Sequence, residues 1–240
     1  MARIKKEQIK SLAVVCSAAV LAVIGSTMAY FTSTDQVTNQ LIGSRFDITL
    51  TETKWSPDKG RNVVPGDELD KNPQIVNEER TTGYVFMRVT VPCDSQMVDN
   101  DDGTPLGSKK ENVPMYKFMV HIAGDVYRID ETFSPAQAVN SYWTLLHEGN
   151  NTYTSFDSEN DMYEYVYAYA INGSLIPLAK GETTEPLFDK LQLWNFNEEY
   201  DPGKSHSVEV TAFGIQADLP GYSADLIEDI WELAKGGSGE

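Results

Sequence analysis

A cluster of hard oxygen ligands in the 240-residue sequence is Asp99-Asn100-Asp101-Asp102-Gly103. Carboxylates gathered around a glycine turn are what a calcium ion requires, so Asp99, Asp101 and Asp102 are the calcium candidates. The spacing is not that of an EF-hand: with Asp99 first, the glycine falls at position five and Glu111 one place beyond the twelfth. No dedicated metal site is therefore expected. Three histidines, His121, His147 and His206, could act on a substrate or a metal. None begins an H-E-x-x-H pattern, because His147-Glu148 runs into Gly149-Asn150-Asn151, a turn. The sequence holds no G-x-S-x-G, no Cys-His pair and no phosphate loop. Cys93 follows a strand pattern with no histidine nearby and is expected as a structural thiol. These absences predict a protein without catalytic residues or cofactor.

Tyr163, Tyr165, Tyr167 and Tyr169 occupy alternate positions, so one strand would carry four tyrosines on a single face. Such a face either stacks sugars or packs as a half-buried sheet surface, and packing is the expectation.

The elements that would position these residues are strands. Phe46 to Thr51 alternates apolar and polar residues, which places Phe46, Ile48 and Leu50 on one face. Val85 to Val91 does the same, with Val85, Met87, Val89 and Val91 opposite Phe86, Arg88 and Thr90. Tyr163 to Ile171, Lys190 to Phe196 and His206 to Ala217 are three further runs. Shorter candidates are Gln74 to Val76, Phe118 to Ile122, Val126 to Ile129 and Tyr142 to Leu146, separated by turn signals such as Pro65-Gly66 and Pro202-Gly203. Together they predict an all-β protein, a β-sandwich occupying residues 46–218. The acidic stretch Asp94 to Asn112 is expected as a mobile insertion on its rim. Leu226, Ile227, Ile230, Trp231 and Ala234 fall on one helical face, predicting a short C-terminal helix within 219–240 with Ser223 as a cap and a Gly/Ser tail after it.

The N-terminus carries Arg3, Lys5, Lys6 and Lys10 before the apolar run Leu12 to Ile24, the layout of a signal peptide. No charge occurs from Ser11 to Thr34, so a retained membrane anchor is the alternative to cleavage. The thirteen-residue apolar run and the small side chains of Thr27 and Ala29 favour cleavage between Ala29 and Tyr30. Cys16 lies too early in the run for lipid attachment. Removing residues 1–29 leaves 19 − 4 = 15 bases and 36 − 1 = 35 acids, a formal charge of −20. Such a chain repels nucleic acid and anionic lipid, so membrane contact is expected only before cleavage, and the product is expected to be secreted.

The segment from Ala22 through Ala29-Tyr30 to Thr34 resembles exported proteins processed by the SipW type of signal peptidase, the TasA and camelysin-like family of biofilm matrix proteins. Three stretches resemble that family in the same order: Val64-Pro65-Gly66-Asp67 leading to Pro73-Gln74-Ile75-Val76-Asn77, then Gly83 to Val89, then Ala212 to Ala217. The middle of the chain is poorly matched. The resemblance implies a jelly-roll-like sandwich whose N-terminal arm, residues 30–45, completes the sheet of the next subunit in a matrix fibre. Tyr30, Phe31, Val37 and Leu41 would then be interface residues, and the partners would be other copies of the chain or related matrix subunits. Camelysin-like relatives are labelled metallopeptidases, so a secreted metalloendopeptidase is the alternative, with a carbohydrate- or partner-binding surface module as a third.

Overall fold

The computed structural model describes residues 32–34, 46–55, 63–96, 98–99, 104, 110–129, 138–148, 151–152, 154–157, 159, 161–196 and 207–236. In chain order the strands are β1 (Thr32–Thr34), β2 (Ile48–Glu52), β3 (Glu68–Asp70), β4 (Pro73–Asn77), β5 (Gly83–Gln96), β6 (Val98–Asp99), β7 (Lys110–Pro114), β8 (Tyr116–Ala123) and β9 (Val126–Ile129). They continue with β10 (Trp143–Leu145), β11 (His147–Glu148), β12 (Asn151–Thr152), β13 (Thr154–Asp157), β14 (Met162–Ile171), β15 (Ser174–Leu175), β16 (Lys190–Leu193), β17 (Asn195–Phe196) and β18 (Glu209–Gln216). One helix, Ile227–Gly236, follows. This is the all-β sandwich that the alternation predicts, jelly-roll-like as the resemblance implies, with the short C-terminal helix that the helical spacing predicts.

The main sheet runs β1-β18-β5-β14-β10, with β13 and β15 also on β14 and β7 on β5. Against it lies the sheet β3-β16-β8-β9, and three two-stranded ribbons complete the fold. Between the sheets, Val85, Met87, Val89 and Val91 of β5 and Tyr165, Tyr167 and Tyr169 of β14 join Phe118, Val120, Leu191 and Leu193 in one core. The tyrosine face is therefore interior, as the packing expectation has it. The opposite faces of the same strands are buried as well: Phe86, Val166, Ala168, Ala170, Phe213 and Ile215 pack beneath Ile227, Ile230, Trp231 and Ala234 of the helix. A strand covered on both faces has no polar side, and that is why β14 reads as apolar at nearly every step.

The turn motifs now have physical roles. Gly66 takes φ 88 in the Pro65-Gly66 turn, where Asp67 N–H donates to Val64 O at 3.0 Å and Asp67 Oδ2 accepts from Val64 N at 3.0 Å. Pro at the second position and Gly at the third suit a type II turn. Asn77 is fully buried: its Nδ2 donates to Leu178 O at 2.7 Å and Thr81 O at 2.9 Å, and its Oδ1 accepts from Glu79 N. One side chain thus organises the connection into β5. At the far end of β14, Asn172 and Gly173 both have positive φ, the signature of a primed hairpin turn into β15.

The acidic stretch 94–112 is a smaller interruption than expected. β5 continues to Gln96, β7 returns beside it from Lys110, and Val98 is buried. Pairing of Cys93 with Pro114 and Asp94 with Val113 lets the two ends satisfy each other's backbone groups.

Alkaline pH should weaken this packing. Lys190 Nζ lies 2.8 Å from Glu68 Oε2, and that hydrogen bond holds the ammonium above its ordinary pKa. Burial raises the hydroxyls of Tyr163 and Tyr169 in the same direction. Groups raised in the folded state contribute fully below their unfolded values, near pH 10, and lose that contribution as pH climbs through the folded values. The urea midpoint should hold between about pH 7 and 9 and fall above about pH 10. A flat profile through that window would contradict the assignment.

Candidate functional site

The edge of the main sheet beside β18 combines several uncommon features. On one side β18 pairs with β5 along its whole length, from Glu209↔Thr90 to Gln216↔Gly83. On the other, among the described residues, it pairs with β1 in the register Thr32↔Ile215, Ser33↔Gly214 and Thr34↔Phe213. The edge that β1 covers is one that a sheet protein must cover somehow.

A glycine notch lies on the inner face of this edge. A Cβ placed on Gly214 would stand 2.5 Å from Phe46 Cε1 and 3.2 Å from Ile48 Cδ1, and one on Gly83 would stand 1.7 Å from Phe46 Cζ. Neither glycine has positive φ, so the fold uses their missing side chains rather than backbone freedom. Phe46, only 2% exposed, fills the space that two side chains would occupy. Because Phe46 stands at the end of the expected arm, residues 30–45, the notch fixes the point at which the arm joins the body.

The outer face is walled by the helix. Phe213 meets Trp231 edge-on, with ring centroids 4.9 Å apart, and Phe86 lies 5.4 Å from the same indole. The Arg88 guanidinium sits 5.2 Å from the Phe213 ring centroid, and its Nε is 3.6 Å from Glu164. The helix also lies against β1. Its entry is shaped by Ser223, whose carbonyl accepts from Leu226 N at 2.9 Å and whose side chain bonds Asp225, holding that carboxyl below its ordinary pKa. The edge is thus a slot with an aromatic floor on one side and a helix on the other.

The residues singled out in the sequence fall as follows. Ala29, Tyr30, Phe31, Val37 and Leu41 lie outside the described residues, as do Asp101, Asp102 and His206. Asp99 is buried in β6, opposite Asn195 of β17. His121 stands at an exposed hairpin, its Nε2 2.6 Å from Gly124 O. Cys93 is buried and free of disulfide, in keeping with a structural thiol. Tyr165 and Tyr167 are inside the core and present no stacking surface. Among the described residues no group of three or more His, Cys, Asp or Glu is placed to hold a metal ion.

The notch was not foreseen, although its parts were in view. Gly214 interrupts the run His206 to Ala217, which marks a close approach by another group, and Gly83 stands just ahead of the run Val85 to Val91. The sequence did not reveal which group approaches, since Phe46 reads equally well as an ordinary core residue. Comparison with family models, with curated proteins and with solved structures finds no match.

Proposed function

We propose that this chain is an exported structural subunit of a cell surface or extracellular matrix, released by signal cleavage before Tyr30 and assembled by strand addition. The N-terminal arm of one copy takes the place beside β18 of the next. The observation that supports this best is β1: three residues of the arm pair in register with the β18 edge, so the edge accepts this sequence as a strand. A neighbour's arm offers the same backbone groups, and exchange replaces one set of hydrogen bonds by an equivalent set. Head-to-tail donation does not close on itself and generates filaments. Signal processing would fall to a peptidase of the SipW type, and the partners would be further copies or related matrix subunits. No catalytic step is assigned.

Paired cysteines test the exchange. Opposed Cα atoms in an antiparallel pair lie within disulfide range, so Thr32→Cys and Ile215→Cys, in a mature chain with Cys93→Ala, should form a bond. A ladder of covalent oligomers on a non-reducing gel is expected under assembly conditions. An oxidised monomer as the only product would mean that the arm stays on its own chain.

A further inference from the structure

Asn172-Gly173 is the one Asn-Gly pair in the sequence, and it forms the apex of the β14–β15 hairpin. Both residues are exposed and have positive φ, 53 and 78. The hairpin is closed by the pair Ile171↔Ser174, so its closing bonds use neither the Gly173 N–H nor the Asn172 side chain. The carboxamide carbon of Asn172 is therefore followed by a backbone nitrogen that the hairpin does not tie down. Glycine adds no side chain to hinder a ring closing between the two.

The strand after this turn is a tether. Leu175 is buried, its N–H donates to Ala224 O at 2.7 Å, and it packs with Ile227, Ile230 and Trp231 of the helix. Ile176 N–H donates to Tyr169 O at 2.9 Å. A two-residue turn has no slack, because loop length sets the register of the strands it joins. That register, Ala170↔Leu175, is what brings Leu175 under the helix.

We infer that Asn172 is a self-modifying site, whose conversion to isoaspartate lengthens the turn and loosens the tether of the helix. The Gly173 nitrogen gives its proton to solvent base and attacks Asn172 Cγ. A C–N bond forms, the Cγ–Nδ2 bond breaks, and the leaving amide group takes a proton from water and departs as ammonia. Water then opens the cyclic imide. Opening at the backbone carbonyl leaves the chain running through the side-chain carbon, which is isoaspartate, longer by a methylene. Opening at the former side-chain carbonyl leaves aspartate. Neither oxidant nor reductant takes part, and either product adds a negative charge. The chemistry acts within a single chain, so it does not rest on strand addition.

The mature chain, incubated at neutral and at mildly alkaline pH, tests this by peptide mapping together with enzymatic methylation of isoaspartate. Position 172 should convert ahead of every other asparagine, including Asn140, which precedes Ser141. Conversion should quicken at the higher pH, where the attacking nitrogen loses its proton more often. Asn172→Gln, whose longer side chain closes a ring far more slowly, should abolish the signal. Ion exchange then separates the products for hydrogen exchange. The isoaspartate form should lose protection at Ser174, Leu175 and Ile176, with β8 and β16 unchanged, while the aspartate form, equal in charge, keeps it. An Asn172 that persists while Asn140 converts, or an isoaspartate form as well protected as the unconverted protein, would overturn the inference.

Discussion

Gly83→Ala is expected to lower the unfolding free energy by about 1–3 kcal/mol or more, the usual range for an overpacked core. An added methyl carbon would stand 1.7 Å from Phe46 Cζ, so the ring must leave its notch. Phe46→Ala alone should cost about 3–5 kcal/mol, from lost burial and the cavity left behind. The informative quantity is the double variant. Once the ring is gone, alanine at 83 has room and fills part of the cavity, so the combined cost should be well below the sum of the single costs. Urea denaturation of the four proteins measures that coupling. Additive costs would mean that Phe46 and Gly83 do not share the space, and the notch would be wrong.

Trp231→Ala is the second large effect, expected at about 3–5 kcal/mol. The indole is almost fully buried and touches both Phe86 and Phe213, the residues through which the helix grips the main sheet. Its removal should loosen the helix as a unit and, because the helix lies against β1, increase proteolysis within the arm in the monomer. Thermal unfolding together with limited proteolysis reads both consequences. A loss below about 1 kcal/mol, with the arm equally resistant, would show that the helix is an appendage rather than a wall of the slot.

How much of this was legible beforehand depends on the range of the interaction. Alternation in Val85–Val91 and Tyr163–Ile171 fixed the faces correctly, because side-chain period in a strand is a local property. The spacing of Ile227, Ile230, Trp231 and Ala234 located the helix for the same reason. The burial of β14 on both faces was not deduced, since it depends on a helix arriving from the far end of the chain. Short strands such as β3 and β15 were missed because two or three residues carry too little pattern. Asp94 and the residues from Lys110 read as an acidic insertion but are partly strand, held by pairing between positions fourteen or more residues apart. The slot was the least legible part. Thr32-Ser33-Thr34 is polar and short, and only its register with Ile215, Gly214 and Phe213 gives it meaning.

The central claim, that the arm assembles the chain, is tested most directly by electron microscopy of the purified chain from Tyr30 to Glu240 beside a version lacking Tyr30 to Asn39. Both should be incubated at neutral pH and at acidic pH, where protonated carboxylates reduce the repulsion between chains of high negative charge. The account predicts filaments from the first protein and none from the second. Monodisperse monomers from both, or filaments that form without the arm, would contradict it.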